Sequence, residues 1–519
     1  MVSRRRFLTT GFVAGGALAA PVWLRAPVGA QPSEASRPAV PWGVQSGDVT
    51  QSTAVIWSAT DRPARMRVEY GLDERFSGAR RLIGPAALPE TGHTAKVVLT
   101  DLPPGREVFY RVVFQDLGDL KTASAPVSGR LKTAPAEARD VSFLWSGDTG
   151  GQGWGINAEW GGMKIYETMR GLIPDFFVHC GDMIYADNPI NAEVTLPGGG
   201  VWKNLTTAAK AKVAETLDEF RGNYTYNFMD PHVRRFGAEV AQYVQWDDHE
   251  VTDNWFPERI LDDDRYTVKS CAVLAARAKR AMFEFTPIAV EPQEHERVYR
   301  AVRRGPLLDL FLLDMRSYRG PNTENRHTVL TDEARILGAA QAQWLKRALL
   351  SSRATWKVIA ADMPLGLVVY HDARRKWGSE AVAQGDGPAL GRELEIADLL
   401  RFIKHNDIHN VLWITADVHY CATHHYQPDR AQFTDFAPFY EFVSGPLHAG
   451  GFGPAELDNT FGPRVVFTRT PSGRINTPPT EGGLYVGQIR IDGRTQAMTV
   501  SHRDLAGTVL HESQLTPAT

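Results

Sequence analysis

The feature that most constrains this chain is a recurrence: apolar runs of strand length end, one after another, on an aspartate beside glycine, histidine or a second aspartate. Val141 to Trp145 leads to Ser146-Gly147-Asp148, and Phe176 to Cys180 leads to Gly181-Asp182-Met183-Ile184-Tyr185. Val240 to Trp246 leads to Asp247-Asp248-His249-Glu250, with Asn254 about one helical turn beyond. Leu310 to Leu313 leads to Asp314-Met315-Arg316-Ser317-Tyr318-Arg319, Val358 to Ala361 leads to Asp362, and Val411 to Ala416 leads to Asp417-Val418-His419-Tyr420. One aspartate after a strand is ordinarily a turn former or a helix cap. An ordered set of them is not, because ligands of α/β sheets gather at the carboxyl ends of the strands.

Carboxylates brought within a few ångström of one another repel and take up protons unless cations stabilise the ionised form. The recurrence therefore predicts a metal cluster. Oxygen ligands with one or two imidazoles suit Ca²⁺, Mg²⁺, Mn²⁺ or Fe³⁺ better than a thiolate-seeking ion. Two such ions could clamp a phosphate and lower the pKa of a hydroxide that attacks phosphorus in line, and a protonated histidine could assist the departing alkoxide. A purely structural calcium site has no call for His249 and His419, which argues against a secreted metal-binding or adhesion module.

Around this set, apolar runs alternate with helical patterns at 206–220, 268–285, 333–350 and 391–405, which indicates α/β layers over residues 140–519. Thr331-Asp332-Glu333 reads as the capped start of the third helix. Residues 40–135 are different: short runs such as 53–57, 65–70, 94–99 and 108–114 alternate apolar and polar positions between turn residues, the pattern of an all-β sandwich similar to fibronectin type III. Beta-type runs return after Gly483.

Residues 1–30, with Ser3-Arg4-Arg5-Arg6-Phe7-Leu8 before a short Gly- and Ala-bearing apolar stretch, resemble a twin-arginine export signal. Export by the twin-arginine translocation machinery implies a periplasmic or secreted protein that folds before crossing. The three cysteines, Cys180, Cys271 and Cys421, form no disulfide framework, and Cys180 and Cys421 read as packed small hydrophobes. A net charge of −3 without Lys/Arg blocks argues against nucleic-acid binding by bulk charge, although local basic pockets remain open.

Together, the runs at Asp148, Gly181 to Tyr185, Trp246 to Glu250, Asp314 to Gly320 and Asp417 to Tyr420 resemble the calcineurin-like metallophosphoesterases, and within them the alkaline phosphatase D (PhoD-like) branch. The resemblance implies a four-layer α/β/β/α sandwich behind the β-rich amino-terminal domain, and an exported alkaline phosphatase or phosphodiesterase acting on phosphate mono- or diesters. A diesterase directed at phospholipid or teichoic polymers is the alternative. It implies a dinuclear or trinuclear cluster of Ca²⁺ with Fe³⁺, with Mn²⁺, Mg²⁺ or Zn²⁺ as substitutes. Asp182 would bridge two metals and Tyr185 would bind the trivalent one. Asp248 stands where the superfamily has an asparagine, and His249 follows as proton donor or phosphate contact. Asp417 and His419 match the paired histidines, with His419 at the iron-like site. The branch commonly places a cysteine after the first core strand; here Asp148 predicts a carboxylate instead. Asn254, Asp247 and Asp362 are further candidate ligands, and Arg316 either pairs with phosphate or buttresses a carboxylate. His448 is expected in a structural or solvent role, 150–160 as a wall or lid of the substrate cleft, and the insertion between Tyr185 and Arg221 as another part of its rim.

Overall fold

The computed structural model describes residues 37–372, 374–471 and 475–518. The export signal assigned to residues 1–30 lies outside them.

Two large sheets form the centre. The first has nine strands, in the order Val509–Leu515, Met498–Asp504, Tyr485–Ile491, Val141–Ser146, Phe176–Cys180, Ala241–Gln245, Val44–Gly47, Ala54–Ala59 and Thr94–Leu99. The second has seven: Arg300–Arg303, Leu308–Leu312, Trp356–Ala360, Val411–Thr415, Phe439–Val443, Cys421–Tyr426 and Pro463–Arg469. Strands that end on the aspartates run parallel within each sheet, as crossover connections require. Because they are covered on both faces, these strands are almost uniformly apolar and buried.

The sheets face each other through one core that includes Phe143, Trp145, Phe176 and Val178 of the first and Leu310, Val358, Ile414 and Phe442 of the second. Helices Ala339–Ser351 and Glu393–His405 cover the outer face of the seven-stranded sheet. Helices Leu217–Phe228 and Cys271–Phe285 cover the nine-stranded sheet. This is the expected four-layer α/β/β/α sandwich.

Two of the expected helices begin later than their sequence patterns suggest. The helical pattern at 206–220 resolves into a 3₁₀ turn at Ala208–Lys210 and a helix at Leu217–Phe228, capped by Thr216. The reason is a reciprocal cap: Thr216 Oγ1 accepts the Glu219 amide, while Glu219 reaches back to the Thr216 and Glu215 amides. The pattern at 333–350 likewise yields only a 3₁₀ turn at Asp332–Ala334, and Thr331 makes no side-chain cap. Glu395 takes the Ile336 and Leu337 amides, and Gly338 at φ 78° turns the chain before the helix starts at Ala339. In both places a distant or capping carboxylate overrides local propensity.

The amino-terminal region is all β. The sheet Arg80–Ala87, Ala64–Gly71, Glu107–Asp116, Val127–Lys132 lies across Val44–Gly47, Ala54–Ala59 and Thr94–Leu99, whose buried residues share one core. Those last three strands are also the edge of the nine-stranded sheet, because Val44–Gly47 pairs in parallel with Ala241–Gln245 at Gly47 and Gln242. A Cβ on Gly47 would sit 2.6 Å from the Gln242 and Pro287 carbonyl oxygens, so only glycine permits that junction. The tail closes the opposite side: Tyr485–Ile491 runs antiparallel to Val141–Ser146.

At that closure Gly487 lies against the buried Trp145 ring, and a Cβ there would come within 2.2 Å of it. Gly487→Ala is expected to destabilise the fold by about 1–3 kcal/mol through overpacking, measured as a shift in the urea unfolding midpoint. An unchanged midpoint would show that the tail strand is not held against the first core strand in solution.

Candidate metal centre

At the carboxyl edge of both sheets the chain turns sharply. Asp148 (φ 68°), Asp182 (φ 53°), Asp417 (φ 66°) and His419 (φ 57°) all occupy the left-handed region. Aspartate tolerates this conformation better than most residues, and a concentration of such residues at one edge marks an over-determined site. The turns interlock: Asp148 N–H donates to Gly181 O at 3.2 Å, and Thr149 N–H to Asp182 O at 2.8 Å. A Cβ on Gly147 would lie 2.8 Å from the Ala416 methyl, so the two sheets approach each other too closely there for any side chain.

Two triads result, and they share one residue. Asp148, Asp182 and His419 present ligand atoms within 4.8 Å of one another, and so do Asp182, Asp248 and His249. Asp148 is sealed from solvent, yet neither carboxylate oxygen has a hydrogen-bond partner. His419 Nδ1 donates to the Gly450 carbonyl, which leaves the Nε2 lone pair pointing inward, 3.4 Å from Asp148 Oδ1 and 2.9 Å from the Tyr185 hydroxyl. Tyr185 also stacks on His249, with ring centroids 4.3 Å apart. Asp182 Oδ1 accepts the His249 amide at 3.1 Å.

Asp247, Asp362 and Asp417 surround the triads. Asp247 Oδ1 is held by Arg316 at 2.5 and 2.6 Å, while Oδ2 is buried without a partner. Asp362 Oδ1 accepts the Met363 amide, and its Oδ2 is likewise unpartnered, 3.4 Å from Arg316. Asp417 is partly exposed. Arg316 has no solvent exposure, and its guanidinium meets carboxylates: Asp247 on one side and Glu380 on the other. That placement matches the buttress of the two roles open to it, and leaves it enclosed rather than facing a substrate. The Asn254 side chain turns to Asp253 at 3.3 Å, and its backbone amide holds Asp248 Oδ2 at 2.6 Å. His448 is fully buried, with its ring on Gly155 O and its amide on Asp148 O.

Sequence reasoning assigned no role to three residues that organise this centre. Asp187 accepts His249 Nδ1 at 2.8 Å and the Asp253 amide at 2.9 Å. Glu250 accepts the Met183, Asp182 and Asp247 amides and so ties two ligand turns together. Glu380 joins Arg316 and Arg319. Glu250 adjoins the ligand run and could have been suspected. Glu380 follows no core strand and carries no local signal.

Burial lifts the carboxyls of Asp182, Asp247 and Asp417 well above the usual range, with neighbouring carboxylates adding to the effect. Asp362 is pushed up to about 6, mainly by burial. Burial alone would also raise Asp248 and lower His249, but their mutual attraction, with Arg316 acting on Asp248 and Asp187 on His249, reverses both shifts. Unpartnered buried oxygens on Asp148, Asp247 and Asp362, in a set of oxygen and imidazole donors, are what a hard cation would satisfy. Cys180 is buried, and burial pushes its thiol pKa well up.

Packed sheets whose strand ends converge on two acidic triads with a common aspartate define a metallohydrolase. Residues 143–502 match the PhoD-like phosphatase family and residues 26–135 its N-terminal domain, so the chain belongs to the PhoD-like phosphatases, which are metal-dependent phosphoric ester hydrolases. Alkaline phosphatase D of Bacillus subtilis (strain 168) is 27% identical over 445 residues, spanning 80% of this chain and 71% of that protein. A solved structure of PhoD superposes with a TM-score of 0.69 at 21% identity, covering 92% of this chain and 89% of the other. The purple acid phosphatase PPD1 of yellow lupin seeds has a TM-score of 0.59 at 13% identity, covering 92% and 74%. At these identities the two structures speak for the fold.

The raised carboxyl pKa values have a signed consequence. Unfolded carboxyls lose their protons near pH 4, whereas the folded metal-free site holds some to about pH 6 or beyond. The native state then binds more protons, so its stability falls as pH rises through that window. Chelated protein is expected to melt at a lower temperature at pH 8 than at pH 5, and added metal to remove the difference while releasing protons. Thermal scans with and without chelator test this. A chelated protein that gains stability from pH 5 to pH 8 would contradict it.

Proposed function

We propose that this protein is an exported phosphoesterase that hydrolyses phosphate mono- or diesters at a cluster of Fe³⁺ and Ca²⁺. The observation that carries the reading is the place of Asp182, whose carboxylate lies within 4.8 Å of ligand atoms of Asp148 and His419 on one side and of Asp248 on the other, so that it can serve two ions at once. Asp148, Asp182, Tyr185 and His419 would hold the trivalent ion. Asp182, Asp248 and Asp417 would hold calcium, with Asp247 and Asp362 offering their unpartnered oxygens to the same oxygen-rich side. The ions, when bound, supply positive charge to the phosphoryl oxygens and acidify water.

The rest of the chemistry falls to the protein. Asp187 keeps the His249 imidazole oriented and protonated, so that Nε2 can give a proton to the departing alkoxide. Arg316 is fixed by Glu380 and holds one oxygen of Asp247, leaving the other free. Asn254 acts through its amide, which sets the rotamer of Asp248. The 150–160 segment is tied down by packing: Trp154 Nε1 donates to Asn476 at 2.7 Å, and Trp154 and Trp160 both pack on Trp202 from the insertion between Tyr185 and Arg221. Export by the twin-arginine route rests on the Arg4-Arg5 signal and places the enzyme outside the cytoplasm.

Loss of a residue that merely supports a metal ligand commonly lowers affinity or activity about 10–100-fold. Asp182→Asn should exceed that, losing metal content and hydrolysis of p-nitrophenyl phosphate together. Full activity in this variant would refute the bridging role. Comparing p-nitrophenyl phosphate with bis-p-nitrophenyl phosphate separates mono- from diesterase preference. A visible absorption band lost in Tyr185→Phe is expected for a phenolate on Fe³⁺, and a colourless active enzyme would remove iron from the reading.

A further inference from the structure

A second charged site lies at the opposite, amino-terminal ends of the core strands, about 20 Å from the metal centre by strand length. Its centre is Arg304, only 2% exposed. The guanidinium donates to Val49 O at 3.1 Å, Tyr243 Oη at 3.1 Å and Lys132 O at 3.4 and 3.5 Å, and rests over the Phe176 ring at 4.7 Å. Every acceptor is neutral. Nε has no partner, and no carboxylate among the described residues forms an ion pair with this arginine. Asp48, next to Val49, is committed to Arg300 by two bonds of 2.7 and 2.9 Å. The other buried arginines differ in their partners: Arg316 and Arg319 meet the Glu380 carboxylate, although Arg319 Nε is also without a hydrogen bond, and Arg392, without a carboxylate, donates to six oxygens. A buried cation without a counter-charge is costly, and an anion from solution would remove that cost.

Arg304 lines a cavity of about 600 Å³ together with Lys132, Arg139 and Arg494. Two carboxylates also line it: Asp175 is engaged by Lys132 at 2.6 Å and the Ser142 amide, and Asp140 by the Gly493 amide at 2.8 Å. Arg139 and Arg494 are exposed and enter no ion pair among the described residues. Four cations against two carboxylates leave the cavity net positive. The glycines matter here: a Cβ on Gly493 would lie 2.6 Å from Arg139 Cα, so glycine lets the two basic segments close on the same space.

We propose that this cavity is a binding site for an oxyanion of the phosphate class. Arg304 serves as its floor, and Arg139 and Arg494 as its clamps. The site joins the amino-terminal layer, through Val49 and Lys132, to the catalytic layer, through Tyr243 and Arg304, so occupancy would strengthen that seam. It is independent of the reading of the metal centre.

The test uses the metal-loaded full chain and inorganic phosphate. Equilibrium dialysis should find one more phosphate per chain in the wild type than in an Arg139→Ser/Arg494→Ser double variant, whose remaining phosphate binds at the metal centre. The variant's phosphate-induced rise in Tm should need about tenfold more phosphate, with hydrolysis of p-nitrophenyl phosphate unchanged at low phosphate. Arg304→Met should abolish the extra phosphate altogether; if it does not fold, the two surface arginines carry the test. Equal phosphate stoichiometry in wild type and double variant would overturn the proposal, and so would a Tm rise that chloride reproduces at equal ionic strength.

Discussion

Repulsion among carboxylates governs this structure. The fold drives Asp148, Asp182, Asp247 and Asp248 to one edge, where water cannot screen them, with the half-buried Asp417 beside them, and much of the surrounding architecture answers that charge. Glu250 gathers three amides around the ligand turns, and Arg316 neutralises Asp247 from behind. Asp187 keeps His249 as an internal cation next to Asp248 and Asp182. What these groups leave unsatisfied is the inward side of Asp148, Asp247 and Asp362, and that remainder is the natural place for ions. The left-handed turns follow from the same demand, since only a sharp reversal after each strand aims a short side chain into a common point.

How much of this could be read from residues alone depended on distance along the chain. Strand-end aspartates were legible because each is announced by the apolar run before it, and the parallel order of those runs makes their ends meet. The Thr216 cap and the Gly338 turn were not, although both sit in patterned segments. Apolar periodicity at 206–220 and 333–350 reflects packing of loops as well as helices, and Glu395 competes for the amides of Ile336 and Leu337 from a different helix. The role of Arg316 was open in the same way: its charge is visible in sequence, but Glu380, which decides which way it faces, comes from far along the chain with no motif of its own.

Arg304 shows the converse. Nothing around Val302-Arg303-Arg304-Gly305 distinguishes it from a surface arginine, and only the tertiary arrangement reveals a guanidinium enclosed by backbone carbonyls and aromatic rings. The same fold therefore handles charge in two opposite ways, surplus carboxylate at one end of its strands and surplus guanidinium at the other. Residues of similar polarity on the surface would be silent in both cases; enclosure gives them consequence.

The parallel pairing of Val44–Gly47 with Ala241–Gln245 makes the amino-terminal layer part of the catalytic sheet rather than a neighbour of it. A chain begun at the linker would leave Ala241–Gln245, a wholly buried strand, as a bare unpaired edge, the kind of surface on which one molecule recruits another into aggregates. Recombining this catalytic layer with a foreign partner module would thus demand a replacement edge strand carrying a glycine at the junction, so the two regions are expected to have been inherited together and exchanged, if at all, as one piece.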